Sequence, residues 1–190
     1  TGRCASPTSL QEEVVALDAQ LEAQLWKIDP DAVTLFQEAR AQSDAQQFDR
    51  ARDTWGRLFA RLPTFSPAVR REAWAEWRLG LRKTAINHAR QALSLEANAD
   101  NYSALAIMLG SSTEDSQATT TEITEALGYA QTAVQLAPDS LSARAGLESA
   151  GSVSSFRFRL RASGLTESRH TDGMIAMHGH QPHHDHGRRR

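Results

Sequence analysis

Six of the chain's seven histidines fall between residues 170 and 186: His170, His178, His180, His183, His184 and His186, with Met174, Met177 and Asp185 among them. Neutral imidazole is the common borderline ligand for Zn, Ni and Cu(II), and His178 with His180, spaced HxH, can reach one ion from an extended backbone. His178, His180, His183, His184 and His186 are therefore the candidate metal ligands, and Zn, Ni or Cu the candidate cofactors. Gly179, Pro182 and Gly187 favour adaptable capture over a rigid tetrahedral site, and without thiolates the run is unlike a structural zinc module. The two thioethers would favour Cu(I) if they joined the site. Two competing readings are a polar tail that holds no metal and a purification tag, although Gly, Gln, Pro and Asp interrupt the histidines where a tag runs them together. In acid the same residues become a cationic arm.

Just ahead of them, VSSFRFRLRAS alternates Phe156, Phe158 and Leu160 with Arg157, Arg159 and Arg161. That is the period-two pattern of a strand with one apolar and one basic face, which must dock on something to pair its backbone and dry its rings. Phe156 and Phe158 are thus candidate contact residues, on a partner's sheet edge or in a helical groove of this chain or a second copy. A short disordered run is the alternative. Residues 151–190 hold seven Arg against Glu167, Asp172 and Asp185, about +4, while the net charge of −2 leaves about −6 on the first 150 residues. A basic tail and an acidic body can attract one another, within a chain or between chains. Nucleic acid is a disfavoured partner, because the body is acidic and the positive stretch short.

Catalysis finds little support elsewhere. His88 lies between Asn87 and Ala89 with no cysteine nucleophile or Gly-flanked serine turn nearby, and reads as a satisfied or surface histidine. No GxxxxGK[ST] or GxGxxG loop is present. Cys4 is the only cysteine, which excludes an internal disulfide framework and multi-cysteine metal motifs. Set before a Ser/Thr/Pro-rich stretch, it is reminiscent of an acylated lipoprotein cysteine, but Arg3 suits that poorly and an inert thiol is the favoured reading. The missing initiator Met points to a processed or truncated N-terminus, and a cell-envelope location is weakly favoured over a cytoplasmic one. No stretch approaches the roughly 18 unbroken apolar residues of a membrane span.

The body that carries these residues reads as helical. Residues 9–28, after a flexible 1–8, form an N-terminal helix: Ser9 with Glu12 fits a capping box, and Leu10, Val14, Leu17, Leu21, Leu25 and Ile28 recur every three or four residues. Asp29 and Pro30 then stop that helix and start the next. Three later segments, QQFDRARDTWGRLFARLP, GLRKTAINHARQALSLEA and TEITEALGYAQTAVQLAP, align at Ala51, Trp55, Leu58 and Pro63, at Ala85, Ala89, Ala92 and Ala97, and at Ala126, Ala130, Ala133 and Pro138. The steps are 34 residues and then 41, which is 34 plus a seven-residue insertion in GSSTEDSQATTTEIT, a longer loop. Such a period marks a stacked array in which each hairpin buries its face only against the next.

Over roughly residues 30–150 the pattern resembles the tetratricopeptide repeat, a 34-residue helix-turn-helix unit with small residues where its helices cross. Gly80 matches the family's turn glycine, where Gln46 and Thr121 stand in the other units. Leu35 with Ala39 and Val69 with Ala73 fit its first helices, although Glu38 and Glu72 occupy places that are usually apolar. The resemblance implies an all-α solenoid of about three hairpins (30–63, 66–97 and 100–138), a capping helix over 139–150, and a basic, His-rich tail over 151–190. It further implies a concave groove lined by first helices, holding Phe36, Arg40, Arg70, Trp74, Trp77, Arg78, Asn101 and Met108. Arginine beside exposed Trp suits a peptide with an acidic group or a terminal carboxylate, because the guanidinium fork pairs with the carboxylate while indoles cover flanking side chains. Plain packing of both Trp between helices is the alternative, while Trp26 and Trp55 read as core. The function expected is a non-enzymatic protein-interaction scaffold with a metal-binding tail. The alternatives are a self-assembling subunit whose tail docks on its neighbour, giving rings or filaments, and a metal storage or delivery protein.

Overall fold

The computed structural model describes residues 9–112 and 117–162, with side chains described as far as residue 151. Cys4 and the histidine-rich run lie outside those residues. Every regular element among them is an α-helix: α1 (Leu10–Ile28), α2 (Pro30–Asp44), α3 (Phe48–Arg61), α4 (Ser66–Arg78), α5 (Arg82–Leu95), α6 (Ala99–Gly110), α7 (Thr120–Leu136) and α8 (Leu141–Ala162). The helices stack as a solenoid of helical hairpins, α2 with α3, α4 with α5 and α6 with α7, preceded by α1 and closed by α8.

Local chemistry places the boundaries. Ser9 accepts the Glu12 N–H at 3.2 Å and starts α1. Asp29 is extended; it ends α1 by donating its N–H to the Leu25 carbonyl and starts α2 by accepting the Asp31 N–H, ahead of Pro30 in the first turn. One residue therefore serves two helices, and no linker separates α1 from α2. Arg61 at the end of α3 grips the same carboxylate, with Nη2 3.0 Å from Oδ1, and holds it below the usual aspartate range. Thr119 and Glu122 form a reciprocal capping box on α7.

The turn between α4 and α5 closes as a Schellman motif. Gly80 has φ 79°, its N–H bonds the Trp77 carbonyl at 3.1 Å, and the Leu81 N–H bonds the Glu76 carbonyl at 2.9 Å. Gln46, one repeat earlier, makes the same turn at φ 58°, with the Gln46 and Gln47 N–H groups on Ser43 and Gln42. A side chain is thus held in a left-handed conformation that glycine adopts without strain.

Small residues set the helix spacing. Ala51, Ala85 and Ala126, Ala89 and Ala130, and Leu58, Ala92 and Ala133 are all fully buried, and Trp55 is 1% exposed at the place where the later units carry Ala89 and Ala130. Two buried clusters result, one through α1 to α4 and one through α4 to α8, and α4 contributes to both. Gly146 lets α8 approach α6, since a Cβ there would stand 2.9 Å from the Ser103 hydroxyl, which itself bonds the Ser142 carbonyl. Arg82, 7% exposed, ties the third hairpin to the second: it donates to the Leu109 and Ser111 carbonyls and to Glu122, spanning the insertion.

Two expectations need correction. Trp26 is 64% exposed. The inward stripe of α1 runs through Leu17, Leu21 and Leu25, and Trp26 points about 100° away from Leu25, outside that buried stripe. The strand expected at Phe156–Arg161 is instead the continuation of α8, which does not end at Gly151 but runs to Ala162. A helix already nucleated propagates at one bond per residue, whereas a lone strand has no edge to pair with.

Candidate functional site

The concave side of the hairpins is floored by α4 and α6 and flanked by the ends of α2 and α8. A cleft of about 490 Å³ remains there, and α1 lies over it. Leu10, Val14 and Leu17 of α1 face Trp74 and Trp77 of α4, Ile107 of α6 and Ala145 of α8 across this space. The C-terminal half of α1 is fixed by Leu21 and Leu25 in the core with Phe36. Its N-terminal half reaches α8.

Three acidic side chains hold α1 in place. Glu13 accepts from the Ser140 hydroxyl at 2.7 Å, from the Leu141 N–H at 2.6 Å and from the Ser142 N–H at 3.2 Å, and so caps the start of α8 from outside the helix. Burial works to raise its pKa, but these bonds together prevail and leave the carboxyl below the usual glutamate range. Asp18, 3% exposed, is bonded to Arg71 of α4 and lies 3.9 Å from Arg40 of α2. Burial pushes the Asp18 carboxyl up in spite of both guanidiniums, and burial likewise lowers the pKa of Arg71. The Arg71 guanidinium also lies 5.6 Å and 5.5 Å from the Phe36 and Trp55 ring centroids. Glu22 accepts from Arg40 at 3.1 Å and from Gln37 at 3.1 Å.

Arg70, Trp74, Trp77 and Arg78 line the cleft together. Arg70 is buried and tied to α6, donating to Asn101 Oδ1 at 3.1 Å with Asp100 at 3.4 Å, and its burial lowers its pKa. Trp74 and Trp77 meet edge to face at 5.5 Å, and the buried Trp77 Nε1 has no acceptor among the described residues. Arg78 stacks 4.5 Å from the Phe48 ring. Arg40 anchors α1.

Phe36 is a correction: it is fully buried and packs edge-on against Trp55 at 5.3 Å, because α1 covers the side of α2 that the repeat pattern leaves open. Met108 is also fully buried, and Asn101, 1% exposed, donates to the Ala92 and Glu96 carbonyls as a joint between hairpins. Phe156 and Phe158 lie on the undescribed-side-chain part of α8, and His178, His180, His183, His184 and His186 lie outside the described residues.

Sequence reasoning overlooked Glu13, Asp18 and Arg71. Asp18 carried a signal: four residues after Val14 and three before Leu21, it puts a carboxylate on the apolar face of α1 beside Leu17, and a buried carboxylate requires a cationic or hydrogen-bonding partner.

No protein-family model matches the chain, and no curated protein matches it in sequence. Solved structures do match. The Sgt2 TPR domain from Aspergillus fumigatus aligns with a TM-score of 0.58 at 16% identity, over 72% of this chain and 85% of that one. The first TPR of Spaghetti (RPAP3), bound to the HSP90 peptide SRMEEVD, aligns with a TM-score of 0.55 at 18% identity, over 65% of this chain and 93% of that one. At these identities the likeness concerns the path of the backbone, and by that measure the chain has a tetratricopeptide-repeat-like fold.

Proposed function

We propose that the chain is a non-catalytic protein-interaction scaffold whose concave groove receives an acidic, partly apolar segment of a partner protein at the place where α1 lies. The observation that carries this reading is α1 itself. Its Glu13, Asp18 and Glu22 answer a helix N-terminus and two arginines, while Leu10, Val14 and Leu17 face the tryptophan wall. A segment of that chemistry suits the groove, and α1 is its resident competitor. The peptide bound by the Spaghetti domain, SRMEEVD, also sets carboxylates beside apolar side chains, which supports the same reading.

A tethered competitor acts at an effective concentration on the order of millimolar, so the groove resists weak partners until α1 lifts. The test uses a labelled peptide of residues 9–28 added to the full chain, with binding followed by fluorescence anisotropy. Substituting Glu13→Ala and Leu17→Ala in the full chain loosens α1 without altering the groove wall, and should tighten peptide binding at least tenfold, on the order of 1.4 kcal/mol. Adding Arg71→Ala should reverse the gain. Absence of binding by a loosened variant that keeps its helical circular dichroism would show that the groove is not the contact surface.

A further inference from the structure

On the side of α4 turned away from the groove, Glu72 and Glu76 stand one helical turn apart and face His88 of α5. His88 Nδ1 lies 2.9 Å from Glu76 Oε2, and one ligand atom from each of the three residues lies within 4.8 Å of the other two. Glu76 is 4% exposed, and Glu72 and His88 are half-buried. The wall opposite Glu72 is Gly56 of α3, where an added Cβ would come within 3.1 Å of Glu72 Oε1. Bare backbone at Gly56 thus leaves Glu72 room beside α3.

Neither carboxylate is matched by a bonded permanent cation. Glu72 makes no hydrogen bond or ion pair among the described residues, and Glu76 bonds only His88. Arg52, the guanidinium that faces them, gives Nε and Nη2 to Asp53 at 3.1 and 2.9 Å. Two carboxylates and an imidazole held at short range, with no guanidinium or ammonium bonded to either carboxylate among the described residues, are a ligand set for a divalent cation.

We infer that Glu72, Glu76 and His88 form a binding site for a borderline divalent transition metal of the Zn²⁺ class, independent of the groove and of the histidine tail. Two oxygens and one nitrogen suit Zn²⁺ at about 2.0–2.2 Å. Three protein ligands leave a fourth position for water. The metal would join α4 to α5 inside the second hairpin. Because the ligands must be deprotonated, uptake releases protons and weakens in acid.

The tail would mask such a site, so the test uses the full chain with His170, His178, His180, His183, His184 and His186 all changed to Asn, which leaves His88 as the only histidine. Calorimetric titration with Zn²⁺ and visible absorption with Co²⁺ should both give one equivalent, and Zn²⁺ should raise Tm. His88→Ala should weaken uptake by at least about tenfold. Glu72→Gln should do the same while leaving the metal-free Tm equal or higher, since it removes one of two like charges; this variant keeps the test decisive if His88→Ala fails to fold. No stoichiometric uptake by the tail-substituted chain, or uptake indifferent to Glu72→Gln, would overturn the site.

Discussion

Asp18 stands on the apolar face of α1, and its pairing with Arg71 makes the two side chains interdependent. Removing one partner leaves the other charge in a buried place, so Arg71→Ala should destabilise the protein by about 3 kcal/mol. The double variant Asp18→Ala/Arg71→Ala should lose less than the two single losses added together, a coupling of at least about 1 kcal/mol measurable by urea unfolding. Gln46 offers the opposite sign. Its left-handed φ of 58° strains a side chain where Gly80 has none, so Gln46→Gly should stabilise by about 0.5–1 kcal/mol and raise Tm, the strain relieved less the backbone entropy that glycine loses. The repeat alignment exposed Gln46 because Gly80 stands 34 residues on. Arg71 was not legible in the same way: beside Arg70 it reads as one of two surface charges, and only the three-dimensional path of α1 brings Asp18 to it across 53 residues.

At the scale of elements, periodicity revealed most of the helices and concealed their covering. The small positions Ala51, Ala85 and Ala126 are buried as their alignment implies, since close approach demands small side chains whatever lies around them. The place of α1 over the groove follows from contacts distant in sequence, Glu13 with Ser140 and Leu141 above all, and no local pattern encodes those. The same distance effect put Phe36 in the core and left Trp26 outside it. Glu13 also makes the docking of α1 sensitive to acid. Its folded pKa is depressed, so its contribution is complete above the ordinary glutamate pKa of about 4.3 and is lost as pH falls through the folded value. Between pH 7 and pH 3 the amides of α1 should therefore lose protection against hydrogen exchange, and Glu13→Gln should remove most of that pH-dependent part. The raised carboxyl of Asp18 acts in the opposite sense, so the difference between native chain and Glu13→Gln is the quantity to read.

The described residues form a one-dimensional stack with two buried clusters meeting at α4. In such a stack, stability is a sum of hairpins and their interfaces, and the least covered element opens first. Helix α1 leaves Val15, Trp26 and Ile28 exposed and rests on a cleft, while α4 and α6 are packed on more than one side. Native-state hydrogen exchange should accordingly show α1 opening at lower free energy than α4 and α6, in a step that leaves the hairpins protected. Equal protection throughout would mean that α1 is part of one cooperative body and that the groove opens only on global unfolding. Among the described residues no helix is long and apolar enough to cross a membrane, so the exposed apolar side chains of α1 are not part of a helical span.

Asp29 is the last residue of one helix's hydrogen bonding and the first of the next, and nothing else lies between α1 and α2. A lifted α1 stays joined to α2 through that one residue, so its return is a first-order event with a rate independent of how much protein is present. On the proposed reading, a partner in the groove would be challenged at the same frequency in dilute and concentrated solution, and each departure would reset the molecule without assistance from any other.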